Sequence, residues 1–368
     1  MKLLIAGGGT GGHLFPAIAI AREFMKADKK NEVLFVGTKR GIENKVLIKE
    51  GFNLLNINVQ PIAGKGIFGK VKALTTLPLS IVQSIILLKR FKPDFALGVG
   101  GYASGPVILG ASLLRIRTGI QEQNIFPGMT NKILGKFVDA IFLAFKEAGM
   151  FFRNEKVQVT GNPIRESLFE SKKKQAYENF MIDEGKFTIF VFGGSLGASS
   201  INKAITENLD TLDELKSSIQ IVHQTGDKDY QSVKKAYENS GIKAFVAPFI
   251  FNMNDAYRVA DVIICRAGAT SISELAALEK PAILVPYPHA AGDHQKANAK
   301  ALEDKGAAIM VEDKDLDEKL MGILADLFNN EQKLDALKQN ISKFKKLNAA
   351  KYIVKTIERK EKVREEYV

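Results

Sequence analysis

Three stretches of this chain carry residue types whose spacing could do chemistry. The first is Gly7-Gly8-Gly9-Thr10-Gly11-Gly12-His13, which follows a short apolar strand. Five of the six positions from Gly7 to Gly12 are glycine, a loss of ordering entropy that a plain turn does not require. Such a loop brings backbone N–H groups close to an anion. Histidine is the residue type suited to proton transfer near neutral pH, which makes His13 beside the loop a candidate base. The second stretch, Gly193-Gly194-Ser195-Leu196-Gly197-Ala198, repeats the pattern and adds the Ser195 hydroxyl. The third runs from Cys265 to Glu274. Its small residues lead into a helix at about Ala269, where Ala269 and Thr270 sit at an amino end that can hold a diphosphate. Glu274 falls just over one turn in, where a carboxylate can accept both hydroxyls of a ribose-like diol. Beyond it, Pro286 and Pro288 fix a loop before a helix near Asp293, a residue type that caps helices. His294 and Gln295 then supply directional donors and acceptors for a polyol.

The elements that must position these groups follow from periodicity. In the first half, apolar strands are expected at Leu3–Ala6, Val33–Val36, Phe95–Val99, Thr118–Gln121, Ala140–Leu143 and Val157–Thr160. Helical stretches lie between them, the first over Phe15–Met25. This alternation is that of a parallel sheet covered on both faces. Gly161-Asn162-Pro163-Ile164-Arg165 is turn chemistry, and a boundary is placed there. A second alternation has strands at Phe187–Phe192, Gln220–His223, Ala244–Ala247, Val262–Cys265, Ala282–Val285 and Ala308–Met310. The expected fold class is therefore α/β, two Rossmann-like, doubly wound parallel-sheet domains over residues 1–164 and 165–347. A charged helix at about 348–368 crosses back onto the first domain. Ligands bind such sheets at the carboxyl ends of their strands, so two facing sheets would share a central cleft.

Composition bounds the setting. The chain has 368 residues, 46% of them hydrophobic and 25% charged, as in folded proteins rather than disordered ones. The single cysteine, Cys265, excludes an internal disulfide and fits a reducing compartment. The longest nearly apolar run, Leu77 to Leu88, is too short to span a bilayer. Net charge is uneven. Residues 1–165 hold 23 Lys+Arg against 10 Asp+Glu, a balance of +13, whereas residues 166–368 hold 29 against 31, a balance of −2. On charge alone, nucleic acid and anionic lipid both qualify as partners of the first half. Between Gly64 and Arg90, Lys65, Lys70, Lys72, Lys89 and Arg90 interleave with Ile67, Phe68, Leu74, Leu77 and Leu79, a pattern suited to anionic headgroups.

A dinucleotide reading stays open on the residues alone. Gly7, Gly9 and Gly12 fit G-x-G-x-x-G, a weak signal by itself. The strand Glu32–Val36 ends in Gly37-Thr38-Lys39-Arg40, with no acid to hold a ribose. Lys39 and Arg40 would suit only a phosphorylated cofactor such as NADP.

Read in order, further motifs accompany these stretches: Gly100-Gly101-Tyr102-Ala103-Ser104-Gly105-Pro106, Glu122-Gln123-Asn124, Gly161-Asn162-Pro163-Ile164-Arg165, and Ser273-Glu274 followed by His294-Gln295. The ordered set, covering nearly the whole chain, resembles the MurG family of lipid-linked N-acetylglucosaminyltransferases of bacterial peptidoglycan synthesis. The resemblance implies a GT-B fold and inverting transfer of GlcNAc from UDP-GlcNAc to the C4 hydroxyl of MurNAc in undecaprenyl-diphosphate-MurNAc-pentapeptide (lipid I), giving lipid II. It implies that Arg165 and Ser195 meet the donor phosphates or nucleotide. Ile250 would hold the uracil edge through its backbone, Ala269 and Thr270 the diphosphate, and Glu274 the ribose. Asn124 and Gln295 would read the GlcNAc hydroxyls. The family often has two glutamines where this chain has His294-Gln295, so His294 is a departure. Thr10, Gly11 and Gly12 would meet the donor sugar, and Gly11, Gly12, His13, Tyr102 and Ser104 the acceptor. Inversion needs a base: His13 leads and Glu122 is its rival. Asp227-Lys228-Asp229 matches the D-x-D of metal-dependent glycosyltransferases, as do Asp313, Asp315 and Asp317, but a helix dipole with Arg165 can stabilise leaving UDP without an ion. The expectation is no catalytic metal, no cofactor and no nucleic acid. The resemblance also implies a peripheral position on the cytoplasmic face of the cell membrane, with cell-wall or division proteins as partners. Competing readings are a glycolipid synthase with another acceptor, a nucleotide-sugar epimerase and a non-catalytic anion-binding protein.

Overall fold

The computed structural model describes residues 1–38, 43–59, 67–194 and 196–359. The chain divides into two compact units, one of residues 1–165 together with the chain from Lys346, the other Glu166–Lys345. In unit 1 the order is β1 (Lys2–Ala6), α1 (Gly11–Ala27), β2 (Glu32–Gly37), α2 (Glu43–Lys49), β3 (Asn53–Asn56), α3 (Ile67–Phe91), β4 (Phe95–Gly98), α4 (Ser104–Leu113), β5 (Arg117–Glu122), α5 (Met129–Leu134), β6 (Ala140–Leu143) and β7 (Val157–Val159). Unit 2 contains α6 (Lys173–Phe180), β8 (Phe187–Phe192), α7 (Ser199–Thr206), β9 (Ile219–Gln224), α8 (Tyr230–Ser240), β10 (Ala244–Ala247), α9 (Met253–Val259), β11 (Val262–Arg266), α10 (Ala269–Leu278), β12 (Ala282–Val285), α11 (His294–Glu303), β13 (Ile309–Met310), α12 (Leu316–Asn329) and α13 (Glu331–Ser342). The helix α14 (Ala349–Glu358) returns to unit 1.

Both sheets are parallel throughout, ordered β3-β2-β1-β4-β5-β6-β7 and β10-β9-β8-β11-β12-β13. This is the doubly wound architecture expected from the alternation of apolar strands and helices. Each order reverses at the unit's first strand, β1 or β8, and the loops after the strands flanking that reversal are where ligands bind. Strands buried on both faces must be apolar throughout. Leu3 and Ile5 accordingly join Phe24, Phe95 and Phe142 on one face, while Leu4 and Ala6 join Leu88, Val107 and Ile120 on the other.

Helix α14 adds Ile353, Val354 and Ile357 to the first of these clusters. Arg117 caps its carboxyl end, donating from Nη1 to Ile357 O at 3.0 Å and from Nη2 to Thr356 O at 3.2 Å, where a cation also complements the helix dipole.

Four sequence expectations change. Helix α1 starts at Gly11, not Phe15, so Gly11, Gly12 and His13 form its first turn. β3 was not anticipated: Asn53-Leu54-Leu55-Asn56 is an edge strand without a buried residue and lacks the apolar run of its neighbours. Asp293 precedes α11 in the left-handed region, at φ 53°, and its side chain makes no cap hydrogen bond. The charged tail is helical over Ala349–Glu358, and the expectation for 360–368 lies outside the described residues.

Candidate active site

In unit 1 the candidate residues gather at the carboxyl ends of β1, β4 and β5. Gly7, Gly8 and Gly9 all have positive φ, at 147°, 130° and 89°. A Cβ on Gly7 would lie 2.4 Å from Gly100 O, and one on Gly101 would lie 2.5 Å from Gly8 O. The loops after β1 and β4 therefore pack backbone on backbone, which only glycine permits. His13 lies in the first turn of α1, half-buried. Its Nδ1 lies 3.2 Å from Thr10 Oγ1, and its ring fills the space beside Gly100, where a Cβ would lie 2.8 Å from Nε2. For Nε2 to take a proton, Nδ1 must carry the hydrogen and donate it to Thr10 Oγ1. Thr10 thus holds the ring in place, and its hydroxyl is able to accept from Nδ1 in the tautomer that a base needs. The Arg165 guanidinium lies 4.4 Å from the Phe15 ring centre, so a fixed positive charge stands beside the first turns of α1.

Two expected residues have other work in the structure. Ser104, expected at the acceptor, has no exposed surface. Its Oγ donates to Ala6 O at 2.8 Å and accepts from Gly100 N at 3.3 Å. It ties β1 to the loop after β4 and presents nothing to an acceptor, which corrects that expectation. Tyr102, on the same loop, is exposed. The buried Glu122 carboxylate accepts at Oε1 from Asn124 N (2.9 Å) and Nδ2 (3.2 Å), and at Oε2 from Gly128 N (3.1 Å) and Asn131 Nδ2 (2.8 Å). Four donors on two oxygens make it the anchor of the loop that carries Asn124, and leave it poorly disposed to abstract a proton. Sequence reasoning missed Glu43. Its carboxylate, 1% exposed, accepts from Gly9 N, Thr38 N and Thr38 Oγ1.

In unit 2 the loops after β8, β9 and β11 repeat this construction. A Cβ on Gly197 (φ 78°) would lie 1.9 Å from Thr225 O, and one on Gly226 (φ 78°) would lie 2.2 Å from Leu196 O. Buried Gln224 joins the parts: its Nε2 donates to Gly194 O at 2.8 Å, and its Oε1 accepts from Ile250 N at 2.8 Å. The N–H of Ile250 is thus already engaged, which narrows the expected uracil contact to its carbonyl. Ser195 lies outside the described residues, as do Lys39, Arg40 and Lys65.

Helix α10 begins at Ala269 after the extended Gly268 (φ −67°, ψ 138°). Glu274 is buried one and a half turns along, and Tyr257 OH donates to its Oε2 at 2.9 Å, fixing the carboxylate's plane. Burial, helped by the Glu274 charge, pushes the neighbouring Cys265 thiol up, so no thiolate forms there. Gln295 sits in the first turn of α11 and accepts at Oε1 from Tyr287 N, 2.9 Å away; His294 precedes it, half-buried. Arg266 knits this region together, donating to Ser200 Oγ (2.8 Å), Pro286 O (3.2 Å) and Asp313. The signal for Tyr257, Gln224 and Arg266 was absent from the sequence because their partners lie 17 to 66 residues away.

Three of the five D-x-D carboxylates are engaged by neighbouring side chains. Asp229 accepts from Asn202 Nδ2 at 2.9 Å, Asp313 from Ser200 and Arg266, and Asp315 pairs with Lys319 at 3.1 Å. Among the described residues no group of three or more His, Cys, Asp or Glu could hold a metal ion.

On the outside of unit 1, α3 is patterned inversely. Ser80, Ser84 and Leu88 face inward, and Ser84 Oγ donates to Ser80 O at 2.7 Å. Leu79, Val82 and Ile86 are each more than half exposed. Lys89 and Arg90 follow in the last turn. Among the described residues no helix is long and apolar enough to cross a membrane.

Comparison with known proteins agrees with this layout. The glycosyltransferase family 28 N-terminal domain matches residues 3–143, and the glycosyltransferase family 28 C-terminal domain matches residues 188–356. A UDP-N-acetylglucosamine–N-acetylmuramyl-(pentapeptide) pyrophosphoryl-undecaprenol N-acetylglucosamine transferase of Myxococcus xanthus is 49% identical over 352 residues, 95% of this chain and 91% of that protein. The crystal structure of Acinetobacter baumannii MurG superposes with a TM-score of 0.77 at 30% identity, over 97% of this chain and 98% of that one. A UDP-GlcNAc 2-epimerase from Neisseria meningitidis, bound to UDP-GlcNAc, reaches a TM-score of 0.69 over 97% of this chain and 99% of that one. It is 16% identical and shares the fold alone.

Proposed function

We infer the reaction from one premise, that the chain belongs to glycosyltransferase family 28: it is an N-acetylglucosaminyltransferase of the GT-B fold that moves GlcNAc from UDP-GlcNAc to the MurNAc of lipid I, giving lipid II for peptidoglycan synthesis. The observation that carries this is the 49% identity to the Myxococcus xanthus transferase across 95% of the chain.

The geometry supports a division of labour. In unit 2, the amino end of α10 with Ala269 and Thr270 receives the donor diphosphate, because the positive end of the helix dipole favours an anion there. Glu274, held by Tyr257, takes the ribose. The Ile250 carbonyl accepts from the uracil imide, and Gln295 with His294 meets the sugar. Ser195 belongs with the nucleotide or its phosphates. In unit 1, His13 is the base: Thr10 accepts the Nδ1 hydrogen and Nε2 receives the proton from the acceptor hydroxyl. Gly11, Gly12 and Tyr102 line the acceptor's approach, and Arg165 supplies positive charge for the phosphates. Glu122 holds Asn124 in place rather than serving as base. No metal or cofactor has a part in this scheme.

The exposed Leu79, Val82 and Ile86, with Lys89 and Arg90 beyond them, support a membrane-facing role for unit 1. An apolar patch rimmed by cations suits an anionic lipid surface, and the acceptor is lipid-linked. The setting this implies is peripheral, on the cytoplasmic face of the cell membrane, where cell-wall or division proteins would be neighbours.

The test is UDP release from UDP-GlcNAc with and without a short-chain lipid I analogue. Release that requires the analogue supports the reading. Release without it points to hydrolysis or epimerase chemistry, and no release together with no UDP binding by calorimetry removes the enzyme reading.

A further inference from the structure

Glu43 is a buried carboxylate directly beneath the first glycine loop. It opens α2, beyond the carboxyl end of β2, and is 1% exposed. Its two oxygens accept from opposite sides. Oε2 takes Gly9 N–H at 3.0 Å, and Oε1 takes Thr38 N–H at 3.0 Å and Thr38 Oγ1–H at 3.2 Å. Gly8 and Gly37 make room for it: a Cβ on either would lie 2.9 Å from Glu43 side-chain carbon. Desolvating a charge this fully costs several kcal/mol unless its hydrogen bonds are complete. An amide would be cheaper to bury if the site needed only a spacer.

The consequence for the loop is geometric. With Gly9 N–H drawn down to Oε2 and Gly8 O pressed against Gly101, the Gly8–Gly9 peptide has one orientation. The chain leaves it into Thr10, whose hydroxyl meets His13 Nδ1 three residues on. We propose that Glu43 is a positioning residue for acceptor transfer: it fixes the Gly8–Gly9 peptide and so sets the Thr10–His13 pair against the acceptor hydroxyl. The proposal rests on the transferase reading above.

Glutamine cannot substitute. Both oxygens accept from N–H donors, so an amide NH2 in either place would face another donor. Glu43→Gln is therefore expected to act like Glu43→Ala, although it is nearly the same size.

The experiment measures steady-state UDP release with UDP-GlcNAc and the short-chain lipid I analogue, for the wild-type chain, Glu43→Gln and Thr38→Val. Thr38→Val removes one of the three donors and leaves the backbone bonds, so it keeps a folded variant in the series. Wild type must first show analogue-dependent release; without it, the transferase reading falls and this inference with it. Given that release, Glu43→Gln is expected to lower kcat/KM for the analogue about 30-fold and to shift the pH profile of that parameter. Thr38→Val should lower it about three-fold in the same sense. KM for UDP-GlcNAc and calorimetric UDP affinity should stay within two-fold. A loss of folded enzyme alone would scale kcat and leave the analogue KM and the pH profile where they were. That pattern, or wild-type kcat/KM for the analogue in Glu43→Gln or Thr38→Val, would overturn the proposal while leaving the transferase reading intact.

Discussion

Acidification should destabilise unit 2 through His223. The ring is fully buried on β9, with Nε2 3.0 Å from Asn202 Oδ1 and Nδ1 2.9 Å from Tyr237 OH. Asn202 Nδ2 already donates to Thr225 O and Asp229 Oδ2, so Oδ1 must accept and Nε2 carries the hydrogen. Nδ1 then accepts from the Tyr237 hydroxyl, and no site remains for a second proton. Burial pushes the imidazole down to about 3, against about 6.5 in an unfolded chain. The folded state therefore binds fewer protons than the unfolded state between those values. Stability is complete above about pH 6.5 and is lost as pH falls from there toward 3. From pH 7 to pH 5 the loss from this one group is about 2 kcal/mol, or roughly 4–8 °C in unfolding midpoint for a unit of this size. Calorimetric melts at the two pH values measure it, with His223→Gln as the control. A glutamine amide can donate to Asn202 and accept from Tyr237 but does not titrate, so most of the pH-dependent loss should disappear. Ring resonances of His223 that titrate with a midpoint near 6.5, or a variant that loses as much as wild type, would refute the reasoning.

Other substitutions separate roles that the site places side by side. Tyr257→Phe takes the hydroxyl from Glu274 Oε2; the carboxylate loses the partner that orients it, so UDP affinity by calorimetry should fall, and unchanged affinity would separate Glu274 from the ribose. Ser104→Ala should lower the urea-derived stability by about 1–2 kcal/mol while leaving KM for the lipid I analogue nearly constant, because Ser104 serves the fold; a large KM change with full stability would return it to the acceptor site. Activity should persist in excess chelator, and a loss that magnesium restores would contradict the metal-free account. Charge reversal at Lys89 and Arg90 should weaken binding to vesicles containing anionic lipid at low salt, and equal binding would count against the α3 surface.

The sheet was legible because parallel strands covered on both faces must be continuously apolar, as Leu3–Ala6 and Phe187–Phe192 are. The edge strand Asn53–Asn56 escaped for the converse reason: with little to bury, it carries no apolar signature. The glycine loops were legible as loops, but Gly11 and Gly12 disguised the start of α1, since glycine is a poor helix former whose presence there reflects close approach rather than propensity. Glu274, Gln295 and His13 could be singled out as candidates from residue type and position. The supporting residues could not. Glu43 meets Gly9 across 34 residues and Tyr257 meets Glu274 across 17, and nothing local marks either. Ser104 and Glu122 show the opposite failure, since polar residues beside a glycine motif invite a functional reading, while burial and filled hydrogen bonds give them to the scaffold.

The most direct measurement is the structure of the product. The account predicts that the chain, given UDP-GlcNAc and the lipid I analogue, makes a GlcNAc–MurNAc disaccharide joined β-1,4, identified by the anomeric coupling and inter-ring correlations in its NMR spectrum. Free GlcNAc, an epimerised sugar, or an α linkage would contradict it.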